Sequence, residues 1–272
     1  MIVFPKAKIN IGLRITGKRH DGYHDIETLF YPVNLCDALE FVVSDNPLMS
    51  DMLTVTGIDT GARTEDNLVM KVVNKLREDY SFPWLKLHLH KTIPVGAGLG
   101  GGSSDAACLL KSITRSFNLN ISRNNIIKMA LELGSDCPFF IDFVPCYATG
   151  RGEILKPIKL DLKGYYILLC NPGVEINTRE AYENCIPGPS PSSLLKLAGS
   201  PITEWKKIII NDFEDFAFVR HPIISEIKNE LYNSGAIFSS MSGSGSSVYG
   251  IFSSIPEIPE KLKDFVIYEG KM

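Results

Sequence analysis

A glycine-rich stretch in the first half of the chain has the composition of a phosphate-binding loop. It runs from Pro94 to Ala107 and reads Pro-Val-Gly-Ala-Gly-Leu-Gly-Gly-Gly-Ser-Ser-Asp-Ala-Ala. Glycine lets the backbone come close to a ligand, and the N–H groups at the start of a helix favour an anion. These residue types therefore predict a phosphate as the ligand of the loop.

The segments on either side of the glycines predict a strand and a helix. Residues 84–90 alternate, with leucine at every second position, which is the pattern of a half-buried strand. Residues 105–110 are good helix formers, and Ser103 and Ser104 precede them as candidate capping residues. We therefore expect a strand, a glycine loop and a helix N-terminus, in that order.

Other classes of protein carry glycine loops of this general kind. Gly96-x-Gly98-x-x-Gly101 matches the dinucleotide fingerprint, but no second strand ends in an acidic residue about 20 positions further on. A P-loop ends in Gly-Lys-Ser/Thr, whereas this loop ends in Gly-Ser-Ser, and the His-Arg-Asp and Asp-Phe-Gly motifs of protein kinases are missing. A flexible surface turn is disfavoured, because five glycines and two serines are confined between a predicted strand and a predicted helix.

A strictly alternating segment near the N-terminus, Lys6 to Leu13, predicts a strand with Lys8 and Asn10 on its polar face. Lysine and asparagine at this spacing suit a site that binds phosphate and orients a hydroxyl group. They suit the solvated face of an edge strand equally well. The pattern leaves both interpretations open.

Two further positions carry groups that can do chemistry. The turn residues Asp21-Gly22 predict a hairpin tip bearing Tyr23 and His24, which can stack on a base and hydrogen-bond to it, or simply anchor the loop. Asp136 lies between a helix predicted to end at Gly134 and an apolar run. It suits a general base or a metal-facing carboxylate, and equally a turn residue.

Length and composition limit the classes of protein. The 272 residues suffice for two domains, and a composition change falls around residues 151–161. Strands and helices alternate without a regular β-α-β rhythm, which favours an α+β fold. Residues 187–203, rich in proline, serine and glycine, predict a surface connection, and residues 241–247 form a second glycine–serine loop.

The charge and cysteine content indicate a cytoplasmic protein. A net charge of −3 favours neither nucleic acid nor a membrane surface as a partner. The six cysteines are scattered without a C-x-x-C pair, and the five histidines lack metal-ligand spacing. Neither a signal peptide nor an apolar run of membrane length is recognisable.

Three motifs, taken together, resemble those of the GHMP kinases, the family of galacto-, homoserine, mevalonate and phosphomevalonate kinases. They are Pro5–Asn10, Pro94–Ser104 and Ser242–Gly245, in the family's order and spread over nearly the whole chain. The resemblance implies a two-domain α+β architecture with the active site in the cleft between the domains. Residues 1–160 would form a ribosomal protein S5 domain 2-like N-terminal domain, and residues 161–272 a ferredoxin-like C-terminal domain.

Within the family, Gly17–His24 and Gly134–Phe140 resemble members whose acceptor is a cytidyl diphosphate ester. The Asp-Gly-Tyr-His run is the most informative, because other members lack this cytidine-binding loop. Ser135 and Cys137 depart from the small or aliphatic residues common at those positions. The alternatives are a family member acting on mevalonate, homoserine or a sugar, and a non-catalytic nucleotide-binding module.

The resemblance also implies the roles of the phosphate loop. An ATP-dependent small-molecule kinase would hold the triphosphate there, with Mg2+ bridging the phosphates and Ser104 as a possible metal contact. We expect a monomer or weak homodimer that binds neither nucleic acid nor membranes. The implied ATP-binding residues are Pro94, Val95, Gly96, Ala97, Gly98, Leu99, Gly100, Gly101, Gly102, Ser103 and Ser104.

The same resemblance implies the acceptor site. Lys8 and Asp136 would be the catalytic pair, with Asp136 accepting the proton of the acceptor hydroxyl. Asn10 would orient the erythritol end of the substrate. The residues implied for the cytosine are Tyr23, which would stack on it, His24, which would hydrogen-bond to it, and Tyr182, near Thr178, which would close the other side.

Overall fold

The computed structural model describes residues 1–45, 50–61, 63–188 and 192–272. Its strands are β1 (Ile2–Val3), β2 (Lys6–Lys18), β3 (His24–Cys36), β4 (Ala38–Val43), β5 (Met52–Gly57), β6 (Leu85–Lys91), β7 (Cys146–Thr149), β8 (Ile154–Pro157), β9 (Tyr166–Cys170), β10 (Phe238–Met241), β11 (Val248–Phe252) and β12 (Val266–Lys271). Its α-helices are α1 (Leu68–Asp79), α2 (Gly101–Ser116), α3 (Arg123–Leu133), α4 (Phe139–Asp142), α5 (Thr178–Glu183), α6 (Leu194–Leu197), α7 (Ile202–Ile208), α8 (Glu214–Arg220) and α9 (Pro222–Asn233).

The chain forms two compact units, each assembled from separate stretches of sequence. The first unit comprises Met1–Ala7, Leu35–Val95 and Gly100–Phe143, and the second comprises Lys8–Asn34, Gly96–Leu99 and Val144–Met272. The predicted domain boundary at residue 160 stays a prediction.

The first unit is built on a four-stranded sheet in the order β1-β4-β6-β5. β6 pairs antiparallel with β4 and parallel with β5. Its three leucines are buried and the residues between them are exposed, which confirms the predicted half-buried strand. α1 begins after Asn67, whose side chain accepts the Val69 N–H group, and it buries one apolar stripe (Val69, Val72, Val73 and Leu76).

α2 begins earlier than the sequence predicts. Gly100 is the N-cap in the left-handed conformation, at φ 70°, and no side chain caps the helix. Glycine reaches this conformation without steric cost, so the chain turns directly from the loop into the helix. Ser103 and Ser104 lie inside the first turn, and their predicted capping role is wrong. In contrast, the Ser122 side chain caps α3 by accepting the Asn125 N–H group.

The second unit contains two four-stranded sheets, in the orders β2-β3-β7-β8 and β10-β11-β9-β12. β2 and β3 form the predicted hairpin, with the Arg19 N–H group bonded to the Tyr23 carbonyl at 2.8 Å in the turn. One buried apolar core includes side chains of β2, β3, β9, β10, β11 and helices α5, α8 and α9. This mixture of antiparallel sheets and helices confirms the α+β prediction.

The segment predicted as a surface connection, residues 187–203, contains ordered structure. α6 and the start of α7 lie within it, and Leu194 is fully buried. Its residues 189–191 lie outside the described part of the chain. Among the described helices, none has the length and apolar character needed to cross a bilayer.

Candidate active site

Lys8 and Asn10 meet as neighbours on one face of β2, in the second unit. The Lys8 ammonium donates to Asn10 Oδ1 at 2.5 Å and to the Gly98 carbonyl at 2.9 Å, and it lies 5.1 Å from the centre of the Phe30 ring. Lys8 is 4% exposed and Asn10 2%. The solvated-face interpretation of this strand is therefore wrong. A desolvated ammonium group interacts strongly with a nearby anion.

Asn10 is held by contacts that fix its orientation. Its amide nitrogen donates to Thr28 Oγ1 at 2.9 Å, and its backbone N–H group donates to Ser242 Oγ at 3.1 Å. The Thr28 hydroxyl in turn donates to the Gly12 carbonyl at 2.6 Å. The side-chain oxygen of Asn10 therefore faces Lys8. A threonine in a predicted strand carries no distinguishing pattern, so nothing in the sequence pointed to Thr28.

Gly98 joins the glycine loop to the second glycine–serine loop within the second unit. Its φ is 76°, and a Cβ atom placed on it would lie 1.8 Å from the Ser242 carbonyl oxygen. The Ser242 hydroxyl donates back to the Gly98 carbonyl at 2.8 Å. Only glycine permits this close approach of two backbones. Lys8, Gly98 and Ser242, one residue from each of the three motifs, are thus hydrogen-bonded together.

Asn211 and Glu214 fix the loop that carries Ser242, and sequence reasoning missed both. The Asn211 amide donates to the carbonyls on either side of Ser242, those of Met241 at 2.9 Å and Gly243 at 2.8 Å. Glu214 accepts the Met241 N–H group at 2.8 Å and the Lys228 ammonium at 2.6 Å. Both residues are buried. An asparagine just before a helix is usually a capping residue, and a glutamate in the first turn usually interacts with the helix dipole, so nothing in the sequence pointed to this role.

The start of α2, in the first unit, has the properties of an anion site. The N-cap Gly100 has no side chain to cap the helix, and the Ser104 N–H group makes the first intrahelical bond, to the Gly100 carbonyl at 2.9 Å, so the N–H groups of residues 101–103 precede the helical hydrogen bonds. The positive end of the helix dipole adds to their attraction for a phosphate. Ser104 Oγ is buried, and it contacts the Cys108 thiol but makes no hydrogen bond to a described oxygen or nitrogen atom. An oxygen in this state keeps the capacity to bind a metal ion.

Asp136 lies half-buried in the turn between α3 and α4. The turn is closed by the Cys137 N–H group bonded to the Gly134 carbonyl at 3.1 Å and the Phe139 N–H group bonded to the Asp136 carbonyl at 3.2 Å. Burial raises the pKa of the Cys137 thiol to about 11, and that thiol contacts the Ser103 hydroxyl. The first turn of α2 and the Asp136 turn are therefore neighbours within the first unit.

The predicted cytosine-binding residues form ring contacts in the second unit. The His24 and Tyr182 rings stack with centroids 5.0 Å apart and planes 14° apart, and Tyr182 packs edge-on against Phe213 at 4.9 Å. Tyr23 is 55% exposed, and the Arg151 guanidinium lies 4.7 Å from its ring centre. One face of the Tyr23 ring is therefore covered by the Arg151 cation. No sequence pattern predicts this contact.

Thr178, the first residue of α5, also lies near the second glycine–serine loop. Its hydroxyl is 3.1 Å from the hydroxyl of Ser244. The Asn177 side chain caps α5 by accepting the N–H groups of Arg179 and Glu180. The second unit thus places Thr178, at the start of the helix that carries Tyr182, against this loop. In the described ranges, no three His, Cys, Asp or Glu side chains are grouped so that they could hold a metal ion.

Comparison with known proteins identifies the class of protein. Residues 67–147 match the N-terminal domain of the GHMP kinases, and residues 195–267 match their C-terminal domain. The chain belongs to the GHMP kinase family.

Two relatives that carry the same name are similar to this chain over nearly its whole length. A 4-diphosphocytidyl-2-C-methyl-D-erythritol kinase of Bacteroides thetaiotaomicron is 50% identical over 96% of this chain and 95% of its own length. The protein of the same name from Parabacteroides distasonis is 46% identical and covers 100% of both chains. These similarities extend over 96% and 100% of this chain.

Solved structures agree with this result at the level of the fold. The crystal structure of a 4-(cytidine 5'-diphospho)-2C-methyl-D-erythritol kinase matches with a TM-score of 0.76 and 30% identity, over 92% of this chain and 90% of that one. The mevalonate kinase of Methanococcus jannaschii has a TM-score of 0.65 at 12% identity, over 97% of this chain and 92% of its own. At that identity the likeness concerns the fold alone. The α+β fold of the GHMP kinases is thereby confirmed.

Proposed function

We propose that the protein is an ATP-dependent kinase that phosphorylates the 2-hydroxyl group of 4-diphosphocytidyl-2-C-methyl-D-erythritol. The products are the 2-phosphate and ADP, in the non-mevalonate pathway of isoprenoid synthesis. The observation that carries the proposal is the full-length similarity to kinases of that name. The hydrogen bonds that link Lys8, Gly98 and Ser242 support it, since they connect all three motifs of a GHMP kinase.

The phosphate loop is proposed to bind the donor. Phosphoryl transfer depends mainly on positioning and on neutralising the charge of the phosphates. The uncapped first-turn N–H groups of α2 are suited to holding the triphosphate of ATP. A bound Mg2+ would neutralise part of the phosphate charge, and Ser104 Oγ is the side-chain oxygen that we propose would help to hold it. The ATP-binding residues remain those of the stretch Pro94–Ser104.

Lys8, Asn10 and Asp136 are proposed to act on the acceptor. Asp136 is proposed either to accept the proton of the attacking hydroxyl as a general base or to orient that hydroxyl. The Lys8 ammonium is desolvated and held by two oxygen acceptors, so it is suited to stabilising negative charge as the phosphoryl group is transferred. Asn10, with its amide fixed by Thr28 and Lys8, is proposed to orient the erythritol end of the substrate.

The cytosine is proposed to be bound by the aromatic residues of the second unit. Tyr23 offers an exposed ring for stacking, and its other face is occupied by Arg151. His24 offers ring nitrogens for a hydrogen bond to the base, and Tyr182 closes the site from α5. The separation of the stacked His24 and Tyr182 rings, 5.0 Å, leaves no space for a base between these two. Thr178, whose hydroxyl lies 3.1 Å from that of Ser244, is proposed as a further substrate-binding residue.

We also propose that the enzyme works in the cytoplasm as a monomer or weak homodimer, without nucleic acid or a membrane as a partner. The net charge of −3 and the balanced composition support this proposal. Size-exclusion chromatography with light scattering, with and without substrate, tests the oligomeric state. A stable oligomer above the dimer would contradict it.

A panel of acceptors tests the proposed function directly. The purified protein is incubated with ATP and Mg2+ and, in separate reactions, the cytidyl compound, mevalonate, homoserine or galactose. We expect rapid ADP release only with the cytidyl compound, accompanied by its 2-phosphate. Efficient turnover of another acceptor would identify a different member of the family. ATP binding without turnover of any acceptor would favour a non-catalytic nucleotide-binding module.

A further inference from the structure

A buried ionic cluster lies next to the start of α2 in the first unit. It consists of Asp37, Lys91 and Asp105, which are 0%, 3% and 2% exposed. The Lys91 ammonium donates to Asp105 Oδ2 at 2.8 Å and to Asp37 Oδ2. The function proposed above uses none of these side chains. Lys91 lies before the phosphate loop and is not the loop lysine of a P-loop, which this loop lacks.

The cluster connects the two ends of the phosphate loop. Lys91 is the last residue of β6, immediately before the loop, and Asp105 lies at the beginning of α2, immediately after it. Asp37 Oδ1 also accepts the backbone N–H groups of Thr92 at 2.6 Å and Ile93 at 2.9 Å. The Lys91–Asp105 ion pair therefore joins the strand end to the helix start, and Asp37 holds Lys91 together with the two residues that follow it.

The ammonium group also contacts the first residue of the helix. A Cβ atom placed on Gly101 would lie 3.1 Å from Lys91 Nζ and 2.9 Å from Ile93 Cγ2. The backbone of α2 therefore packs closely against both residues at the point where its N–H groups face the proposed phosphate site. A change in the position of the Lys91 head group would be transmitted to Gly101.

The composition of the cluster favours a role other than stability. Burying charged groups costs desolvation free energy, and apolar residues of similar volume often stabilise a core equally well. Here two carboxylates share one ammonium, and Asp105 Oδ1 has no hydrogen-bond partner among the described residues. An unsatisfied buried oxygen is costly, so a core selected only for stability would not favour it.

We propose that Lys91, held by Asp37 and Asp105, is a positioning residue for ATP. It fixes the first turn of α2 so that the N–H groups of that turn meet the phosphates in a set orientation. This inference rests on the proposed function only in taking ATP as the ligand of the loop. It predicts that loosening the cluster weakens nucleotide binding and leaves binding of the acceptor unchanged.

The test compares two carboxylates at opposite ends of β6. Asp105→Asn removes one ionic contact of Lys91. Asp51→Asn is the matched control, because Asp51 accepts from Arg77 at 2.5 Å and from the Leu85 N–H group at 2.8 Å, at the end of the strand away from the loop. Calorimetry measures the Kd for ATP, and steady-state kinetics give the KM for each substrate. Thermal unfolding measures the loss of stability in each variant.

We expect Asp105→Asn to raise the Kd and KM for ATP about tenfold, the scale found when a group that orients a functional site is removed. The KM for the acceptor should stay within about twofold, because no acceptor contact is removed. Asp51→Asn should lower the melting temperature comparably without changing the Kd for ATP. An unchanged Kd in folded Asp105→Asn, or an equal rise in both variants, would overturn the proposal.

A milder variant decides the question if Asp105→Asn does not fold. The side-chain oxygen of Asp37→Asn can still accept from Thr92 and Ile93 but loses its charge toward Lys91, so a smaller rise in the Kd for ATP is expected. An unchanged Kd in that variant would overturn the proposal. Failure of the wild-type protein to phosphorylate the cytidyl compound would refute the proposed function, whereas the Kd comparison would still decide the role of the cluster.

Discussion

The Ser242 hydroxyl donates a hydrogen bond to the Gly98 carbonyl at 2.8 Å, and the Lys8 ammonium donates to that same carbonyl at 2.9 Å. One backbone oxygen of the glycine loop is thus bound by side chains from the first and third motifs. Residues 8, 98 and 242 are far apart in the sequence, so this carbonyl fixes the glycine loop relative to both.

Gly98→Ala should strongly reduce activity. Its methyl group would lie 1.8 Å from the Ser242 carbonyl, so the two loops must separate, and displacement of a positioned group by about an ångström can cost about 10²-fold in turnover. Gly164→Ala is the matched control, because its φ is 94° but a Cβ atom there meets nothing within 4 Å. It should cost only the backbone strain, about 1–2 kcal/mol in unfolding free energy. Near-normal kcat in Gly98→Ala would refute the importance of this contact.

Asp136→Asn and Lys8→Ala should each lower turnover of the cytidyl substrate by about 10²-fold or more, the usual contribution of a positioned acid–base group. The measurement is kcat with ATP and the cytidyl compound at saturation. Asp142→Asn, which removes a partly exposed carboxylate of the same unit, and Lys206→Ala, which removes an ammonium lying 4.0 Å from the Tyr232 ring centre, are the controls. If either active-site variant retains near-normal kcat, that residue has no catalytic role.

Tyr23→Ala should mainly weaken binding of the acceptor. Stacking on an aromatic ring contributes roughly 1–3 kcal/mol per base, so the KM for the cytidyl substrate should rise while kcat changes less. Tyr23→Phe keeps the ring and its contact with Arg151 and should behave like the wild type. Steady-state kinetics at fixed ATP provide the comparison. An unchanged KM in Tyr23→Ala would remove this residue from the cytosine site.

Elements with a local pattern could be predicted from the sequence. The alternating leucines of β6 and the apolar stripe of α1 specify a strand and a helix without any knowledge of distant residues. The start of α2 was placed too late, because the hydroxyl residues suggested a cap whereas the left-handed Gly100 begins the helix. Propensity does not reveal which residue adopts that conformation.

The interpretation of Lys8 and Asn10 could not be decided locally. The groups that bury them include the Ser242 loop and Tyr249. The Tyr249 hydroxyl donates to the Asn10 carbonyl at 2.9 Å, although the two residues are 239 positions apart in the sequence. Likewise, the proline-rich segment around Leu194 was predicted as a surface connection, but the Glu27 carboxylate accepts the Leu194 N–H group at 2.5 Å. Such tertiary contacts leave no periodic pattern in the sequence.

The buried carboxyl group of Asp105 predicts a pH-dependent loss of stability. Burial raises its pKa to about 7, and the Lys91 charge acts in the opposite direction. Lys91 and Cys108 keep their charge state near neutrality, because Asp105 and Asp37 raise the pKa of Lys91 against the effect of desolvation, and burial raises the pKa of the Cys108 thiol to about 12. Asp105 is therefore a group of the cluster whose charge changes near neutral pH.

The sign of the effect follows from proton binding. Between the pKa of the unfolded chain, about 3.9, and the higher pKa in the folded protein, the folded state binds more protons. The stability contributed by the protonated carboxyl is complete below the unfolded pKa and is lost as the pH rises through about 7. From about pH 5.5 to about pH 8, the wild type should lose about 2 kcal/mol more unfolding free energy than Asp105→Asn, which has no proton to lose. Urea unfolding of both proteins across this pH range measures the difference in unfolding free energy, with Asp51→Asn as the control. Parallel stability profiles for the wild type and Asp105→Asn would contradict the prediction and show that Asp105 is ionised throughout.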